Sequence, residues 1–401
     1  YNEGPLQACD HYHRYREDVA LMKKMGLKSY RFSVSWSRIL PDGTEKINQK
    51  GIEFYQSLVR ELKAAGIEPM VTLYHWDLPY ALYLQGGWKN PQIPDWFAAY
   101  TKIVVKALSD QVQYWMTLNE PQCFVGIGHL QGRHAPFLDE PASLRPVTRH
   151  VLLAHAKAVQ TIRQYAKLPP KVGYAPTGPV FSPCGDESEA AIAEAYLRTM
   201  EVEGCYSISW WCDPVLLGRV PEPMAKALGA DVFTPQELEL LHQPLDYLGF
   251  NVYNACAAQQ PGSEYTANTW QGSPRTAMEW PITPDCIYWA IRFLNQRYGR
   301  PILITENGMA NTDFVMLDGK VHDPQRIDYV HRHLLAARRA LQEGYPLIGY
   351  TYWSIMDNYE WAEGYSKRFG LIYVDYRTME RIPKDSAAWY AHVIATNGSE
   401  L

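Results

Sequence analysis

The sequence holds no apolar run approaching the ~20 residues that a membrane-spanning helix needs. It also has no sustained basic stretch, and its net charge of −5 over 401 residues argues against a nucleic-acid partner. From Tyr1 onward there is neither the basic segment nor the apolar segment of a secretory leader. Seven cysteines (Cys9, Cys123, Cys184, Cys205, Cys212, Cys256 and Cys286) are scattered with no Cys-x-x-Cys pair. An odd, dispersed set suggests reduced thiols, so the expected compartment is the cytoplasm. Low-complexity tracts and hinge-like linkers are lacking too, which leaves residues 1–401 as one expected domain.

Two short motifs carry little weight. The segment Asp10-His11-Tyr12-His13 places histidines at i and i+2, which do not share a helix face, so a surface role is expected rather than a metal site. Asn397-Gly398-Ser399 matches a glycosylation sequon, but three residues recur by chance too often to place the protein outside a cell.

Hydrophobic residues make up 47 %, as in an ordinary globular protein, but 13 Trp and 28 Tyr are many. Aromatic faces stack on the C–H faces of sugars, and they also fill large cores; composition alone leaves both open.

Short β-branched or aromatic runs alternate with longer stretches of helical periodicity, the pattern of repeated βα units. The predicted strands run from Ser29 to Trp36, Glu68 to Trp76, Gln113 to Glu120, Lys171 to Pro176, Asp246 to Asn254, Pro301 to Asn307 and Pro346 to Ser354. Between them, Ile52, Tyr55, Leu58, Val59 and Leu62 form a helical stripe that Gly66 ends. Gly26 and Gly344 are expected to close two other helices. Ile327, Val330, Leu334, Ala337 and Leu341 form a further stripe, with Pro324 near its first turn. The Gly-, Pro-, Ser- and Thr-rich stretch from Gln259 to Pro284 reads as one long loop at a site entrance.

A closed α/β barrel of this kind needs eight strands, and seven are readable. Only Tyr1 to Ala8 precedes the first helical stretch, from Cys9 to Met25, and those eight residues include Gly4 and Pro5 without an apolar run. Either the first strand was trimmed or left out of this chain, or the barrel is open between its second and eighth strands, an edge that would leave backbone groups unpaired.

Glu120 and Glu306 each stand at the end of an apolar run and just before a chain breaker, Pro121 and Gly308 respectively. An acidic residue at the C-terminal end of a barrel strand reads as catalytic. A pair of them is what glycosidic bond cleavage requires: one carboxyl group protonates the leaving oxygen while the other attacks or activates water.

Five ordered motifs extend this reading. They are Tyr30-Arg31-Phe32-Ser33-Val34-Ser35-Trp36, Tyr74-His75-Trp76-Asp77-Leu78-Pro79, Asn119-Glu120-Pro121, Thr305-Glu306-Asn307-Gly308, and Tyr352-Trp353-Ser354 through Asp357-Asn358-Tyr359-Glu360-Trp361. Together, from about Cys9 to the last helix, the chain resembles glycoside hydrolase family 1, the β-glucosidase-like retaining enzymes on a (β/α)8 TIM barrel. The resemblance implies a β-glycosidase acting on a small carbohydrate substrate, a β-glucoside or related disaccharide, with no metal or organic cofactor. It implies Glu120 as acid and base, Glu306 as nucleophile, and Arg31 and Tyr253 as the nucleophile's partners. It further implies that His75 and Asn119 bond sugar hydroxyls, Trp353 lies under the ring, Glu360 and Trp361 hold the outer hydroxyls, and Phe369 lines the exocyclic end. Trp76 and Asn251 would support the same wall. Glu360 favours an unphosphorylated sugar, because a carboxylate repels phosphate. The family's first strand carries a glutamine that binds the glycone, and nothing here matches it. Two alternatives are a sugar-binding barrel with little turnover and a transglycosylase using the same covalent intermediate.

Overall fold

The computed structural model describes residues 4–258 and 272–401. Among the described residues, seven parallel strands form the barrel wall: β1 (Ser29–Ser33), β2 (Glu68–Tyr74), β3 (Tyr114–Asn119), β4 (Lys171–Ala175), β5 (Leu248–Asn251), β6 (Ile302–Asn307) and β7 (Leu347–Tyr352). The first four pair in chain order, and β5, β6 and β7 form a second set in order. The two sets meet at β4 and β5, where Asp246 N donates to Val172 O (2.9 Å) and Asn251 N donates to Pro176 O (3.0 Å). Strands β2, β3 and β6 are buried at nearly every position, which explains their continuous apolar runs.

Helices cover the outside, among them α1 (His11–Lys24), α2 (Gln49–Ala64), α3 (Ile93–Leu108), α4 (Leu144–Tyr165), α5 (Cys286–Tyr298), α6 (Pro324–Gln342) and α7 (Asp385–Ala395). The expected stripe on α2 is buried throughout, and Gly66 ends the helix at φ 74°, a conformation that favours a residue without Cβ. Pro324 opens α6 as expected. The inward face of α6 differs from the expected stripe: Arg326, Tyr329, Val330, His333, Ala337 and Ala340 are buried, whereas Leu341 is exposed. Two polar residues that pair internally rotate that face away from the apolar spacing.

No backbone ladder joins β1 to β7 among the described residues. A cavity of about 440 Å³ lies along this seam, lined by Arg31 and Ser33 of β1, Tyr350 of β7, Trp353 just beyond it, Leu27, and Ile394 of α7. The opening sits where an eighth strand would complete the wall. Every residue of β7 is at least partly exposed, in contrast to the fully buried β6.

Strand ends are shorter than expected where the chain turns to present a side chain. The first run stops at Ser33 because Trp36 begins a short helix, Trp36–Ile39, and β5 stops at Asn251 rather than Asn254. Two small pairings were not expected: Val180–Ser182 with Ala255–Ala257, parallel, and Ile372–Asp375 with Glu380–Pro383, antiparallel. Of the expected loop from Gln259 to Pro284, residues 259–271 lie outside the described residues, and residues 272–284 form no named helix or strand. None of the seven cysteines is in a disulfide. No helix among the described residues is long and apolar enough to cross a membrane.

Candidate active site

The C-terminal ends of β1, β2, β3, β5, β6 and β7 converge on two buried carboxyl groups. Glu306 lies within β6, 4 % exposed, and both of its oxygens are held. Arg31 Nη1, on β1, donates to Oε1 at 2.6 Å, and the Tyr253 hydroxyl donates to Oε2 at 2.7 Å. Arg31 is itself oriented by Asn119 Oδ1 (2.5 Å) and by Met116 Sδ (3.2 Å). That methionine belongs to a separate apolar cluster of Met70, Met116, Ala175, Tyr247 and Leu303, so packing between four strands sets the guanidinium. Burial, then the charges of Glu306 and Glu120, push the Tyr253 phenol well above its ordinary range, so it stays a donor.

Glu120 follows the last residue of β3. Its backbone N–H donates to Ala175 O at 2.8 Å, and its φ of 42° lies in the left-handed region. Trp76 (φ 75°) and Trp361 (φ 45°) share that unusual backbone, and strain of this kind concentrates at functional sites. Asn251 Nδ2 donates to Glu120 Oε1 at 2.8 Å, while Thr305 Oγ1 donates to Asn251 Oδ1 at 2.6 Å and fixes the amide. Burial, then the negative charge of Glu306, raise the Glu120 carboxyl to about 7, against the pull of Asn251 and Cys123. One carboxylate is thus clamped by a cation and a phenol, while the other keeps its proton near neutral pH.

Around the pair stand the other expected residues. Asn119 Nδ2 lies 3.1 Å from His75 Nε2, so two groups expected to face sugar hydroxyls face each other. Burial, then Arg31, lower His75 to about 3, which keeps the ring neutral. Trp76 Nε1 donates to Asn119 O at 3.0 Å. The ring of His75 lies 5.8 Å from Trp353 and 6.0 Å from Trp361, and Trp76 lies 4.9 Å from Trp361. Glu360 hydrogen-bonds with the Trp353 side chain, and burial followed by the Glu306 charge raises it to about 8. Phe369, 2 % exposed, stands 6.2 Å edge-on from Tyr253.

Every expected site residue therefore belongs to one connected constellation. Sequence reasoning missed Trp280, whose ring is 5.0 Å from Tyr253 and 6.2 Å from Phe369, as well as Thr305 and Cys123. The one signal for Trp280 was an aromatic residue inside a Gly- and Pro-rich loop. Among the described residues, no group of three or more His, Cys, Asp or Glu is placed to hold a metal ion.

The chain matches the model of glycosyl hydrolase family 1 over residues 3–399. It is 42 % identical over 400 residues to β-glucosidase A of Thermotoga maritima, spanning 98 % of this chain and 88 % of that protein. It is 41 % identical over 401 residues to β-glucosidase A of Acetivibrio thermocellus, with the same coverage. Among solved structures, the Thermotoga maritima β-glucosidase in complex with deoxynojirimycin superimposes with a TM-score of 0.88 at 41 % identity, over 98 % of this chain and 88 % of that one. Both by sequence and by its TIM-barrel architecture, the chain belongs to glycosyl hydrolase family 1 and is a retaining β-glycosidase.

Proposed function

We propose that the chain hydrolyses terminal, non-reducing β-D-glucosyl residues of unphosphorylated glycosides, with Glu306 as nucleophile and Glu120 as acid and then base. The asymmetry between the two carboxyl groups carries the reading. Glu306 has a guanidinium on one oxygen and a phenol on the other, which fits a carboxylate ready to attack the anomeric carbon. Glu120, raised to about 7, holds the proton that the departing oxygen needs.

In the first step the Glu306 carboxylate forms a bond to the anomeric carbon, the glycosidic C–O bond breaks, and the Glu120 proton passes to the leaving oxygen. Glu306 is then an uncharged ester. The second cause raising Glu120 is thereby removed, and the carboxyl becomes more acidic. It now accepts a proton from water, whose oxygen attacks the anomeric carbon and frees Glu306. Two displacements restore the original β configuration.

Glu360, Trp361, Trp353, His75, Asn119 and Phe369 supply the glycone wall in this reading, with Trp76 and Asn251 behind it. The relatives named above support glucose as the sugar. A sugar-binding barrel without turnover is not favoured, because both carboxyl groups are present and differently supported. The whole chain is read as one catalytic domain, and seven cysteines without a disulfide fit a reducing cytoplasm.

Incubation with a 2-fluoro β-glucoside bearing an activated leaving group, followed by peptide mass analysis, tests the assignment. A glucosyl label on Glu306 is expected. Label on another residue, or none with any β-glycoside, would overturn it.

A further inference from the structure

The segment from Ser354 to Gly370 carries Glu360, Trp361 and Phe369, yet its one named element is the short turn Trp361–Glu363. Charge holds it in place. Asp357, fully buried, accepts from Lys384 Nζ (2.8 Å) and Gly370 N (2.9 Å) on Oδ1, and from Arg368 Nη1 (2.7 Å) on Oδ2. One carboxylate therefore ties residue 357 to residues 368 and 370 and closes the loop across its neck.

The tie continues to the chain just beyond the strand that carries the nucleophile. Lys384 Nζ also donates to Asp313 Oδ2 (2.5 Å), and Asp313 accepts from Arg326 Nη2 (2.6 Å). Arg326 pairs with Asp323 and donates to the carbonyls of Arg368 (2.9 Å) and Met309 (3.4 Å). Met309 is three residues beyond Glu306 on the same strand exit. Three carboxylates thus face three cations in a buried cluster. Burying ion pairs generally stabilises a fold no more than apolar packing of equal volume does. Stability alone therefore leaves the cluster unexplained, whereas fixed geometry between two parts of one site accounts for it.

We propose that Lys384, with Asp357, Arg368, Asp313 and Arg326, is a positioning device that sets Glu360 at a fixed place relative to Glu306. The proposal rests on the reading of Glu360 as a glycone ligand. Lys384 touches no substrate; it acts through the neck of the loop. Removing its charge leaves Asp357 and Asp313 with one cation fewer, and the loop carrying Glu360 loses its register with β6.

The test is a double-mutant cycle on kcat/KM for 4-nitrophenyl β-glucoside, using wild type, Lys384→Met, Glu360→Ala and the double variant. Lys384→Met is expected to lose about tenfold or more alone and less than about twofold in the Glu360→Ala background, the signature of one residue acting through another. The same variant should lose less on 4-nitrophenyl β-xyloside, which lacks the hydroxymethyl group. Arg368→Gln, at the partly exposed edge of the cluster, should repeat the pattern if Lys384→Met does not fold, and Lys384→Arg should recover part of the loss. Equal losses in both backgrounds, or on both sugars, overturn the positioning role while leaving Glu360 as a ligand. A silent Glu360→Ala overturns the ligand reading, and the positioning role with it.

Discussion

Replacing Asn251 with alanine tests the electrostatics of the acid directly. Its Nδ2 donates to Glu120 Oε1 at 2.8 Å and so favours the ionised carboxylate. A hydrogen bond to a charged group contributes ~1.5–3 kcal/mol, and each pKa unit corresponds to ~1.4 kcal/mol. The full effect would be ~1–2 units, and water entering the vacated space returns part of it, so a rise of about one unit is expected. The acid must be protonated to act, so activity is present below its pKa and lost as pH rises through it. In the wild-type enzyme the alkaline limb of kcat/KM for an alkyl β-glucoside is expected near the value of about 7. In Asn251→Ala that limb should move to about 8. A limb that stays in place, or moves toward acid, would refute the account.

Three other perturbations follow from the same geometry. Glu120→Gln should lower turnover of alkyl glucosides by about 10²–10⁴-fold, while a dinitrophenyl glucoside still glycosylates the enzyme rapidly; equal loss in a stopped-flow burst assay would exclude Glu120 as the acid. Gly308→Ala would place a Cβ 2.0 Å from the Trp353 carbonyl oxygen, so a destabilisation of ~1–3 kcal/mol is expected, and an unchanged Tm would refute the close approach. Glu360 has its carboxyl raised to about 8 in the folded protein, against an ordinary value of 4.5, so its contribution to stability is full below about 4.5 and is lost as pH climbs through about 8. Glu360→Gln should therefore gain in Tm relative to wild type between pH 5 and pH 8, as calorimetry at the two pH values can show.

The parts of the molecule visible in the sequence are those set by local pattern. Strands β2, β3 and β6 are buried on both faces, and their continuous apolar runs mark them directly. Glu120 and Glu306 stood out because a breaker follows each at a strand end. The α6 face was misjudged because Arg326 and His333, polar by type, turn inward and are neutralised by partners that periodicity does not register. The Asp357 cluster was invisible for a related reason: Lys384 reaches partners 27 and 71 residues away in the chain. The small pairing of Val180–Ser182 with Ala255–Ala257 joins segments too short to show a period of two.

The seam between β1 and β7 gives the wall two ends. A closed ring must break hydrogen bonds on both sides of any strand before that strand can leave, whereas among the described residues β1 and β7 are each laddered on one side only. Opening of the native state should therefore begin at this pair, as a zipper opens from its ends. Amide protons on β1 and β7 are expected to exchange with solvent deuterium well before those of β3 and β6. Because Arg31 is on β1 and holds the nucleophile, the earliest fraying of the wall is also the step that disarms the enzyme. For a protein consisting of residues 1–401, inactivation on heating should therefore run ahead of global unfolding.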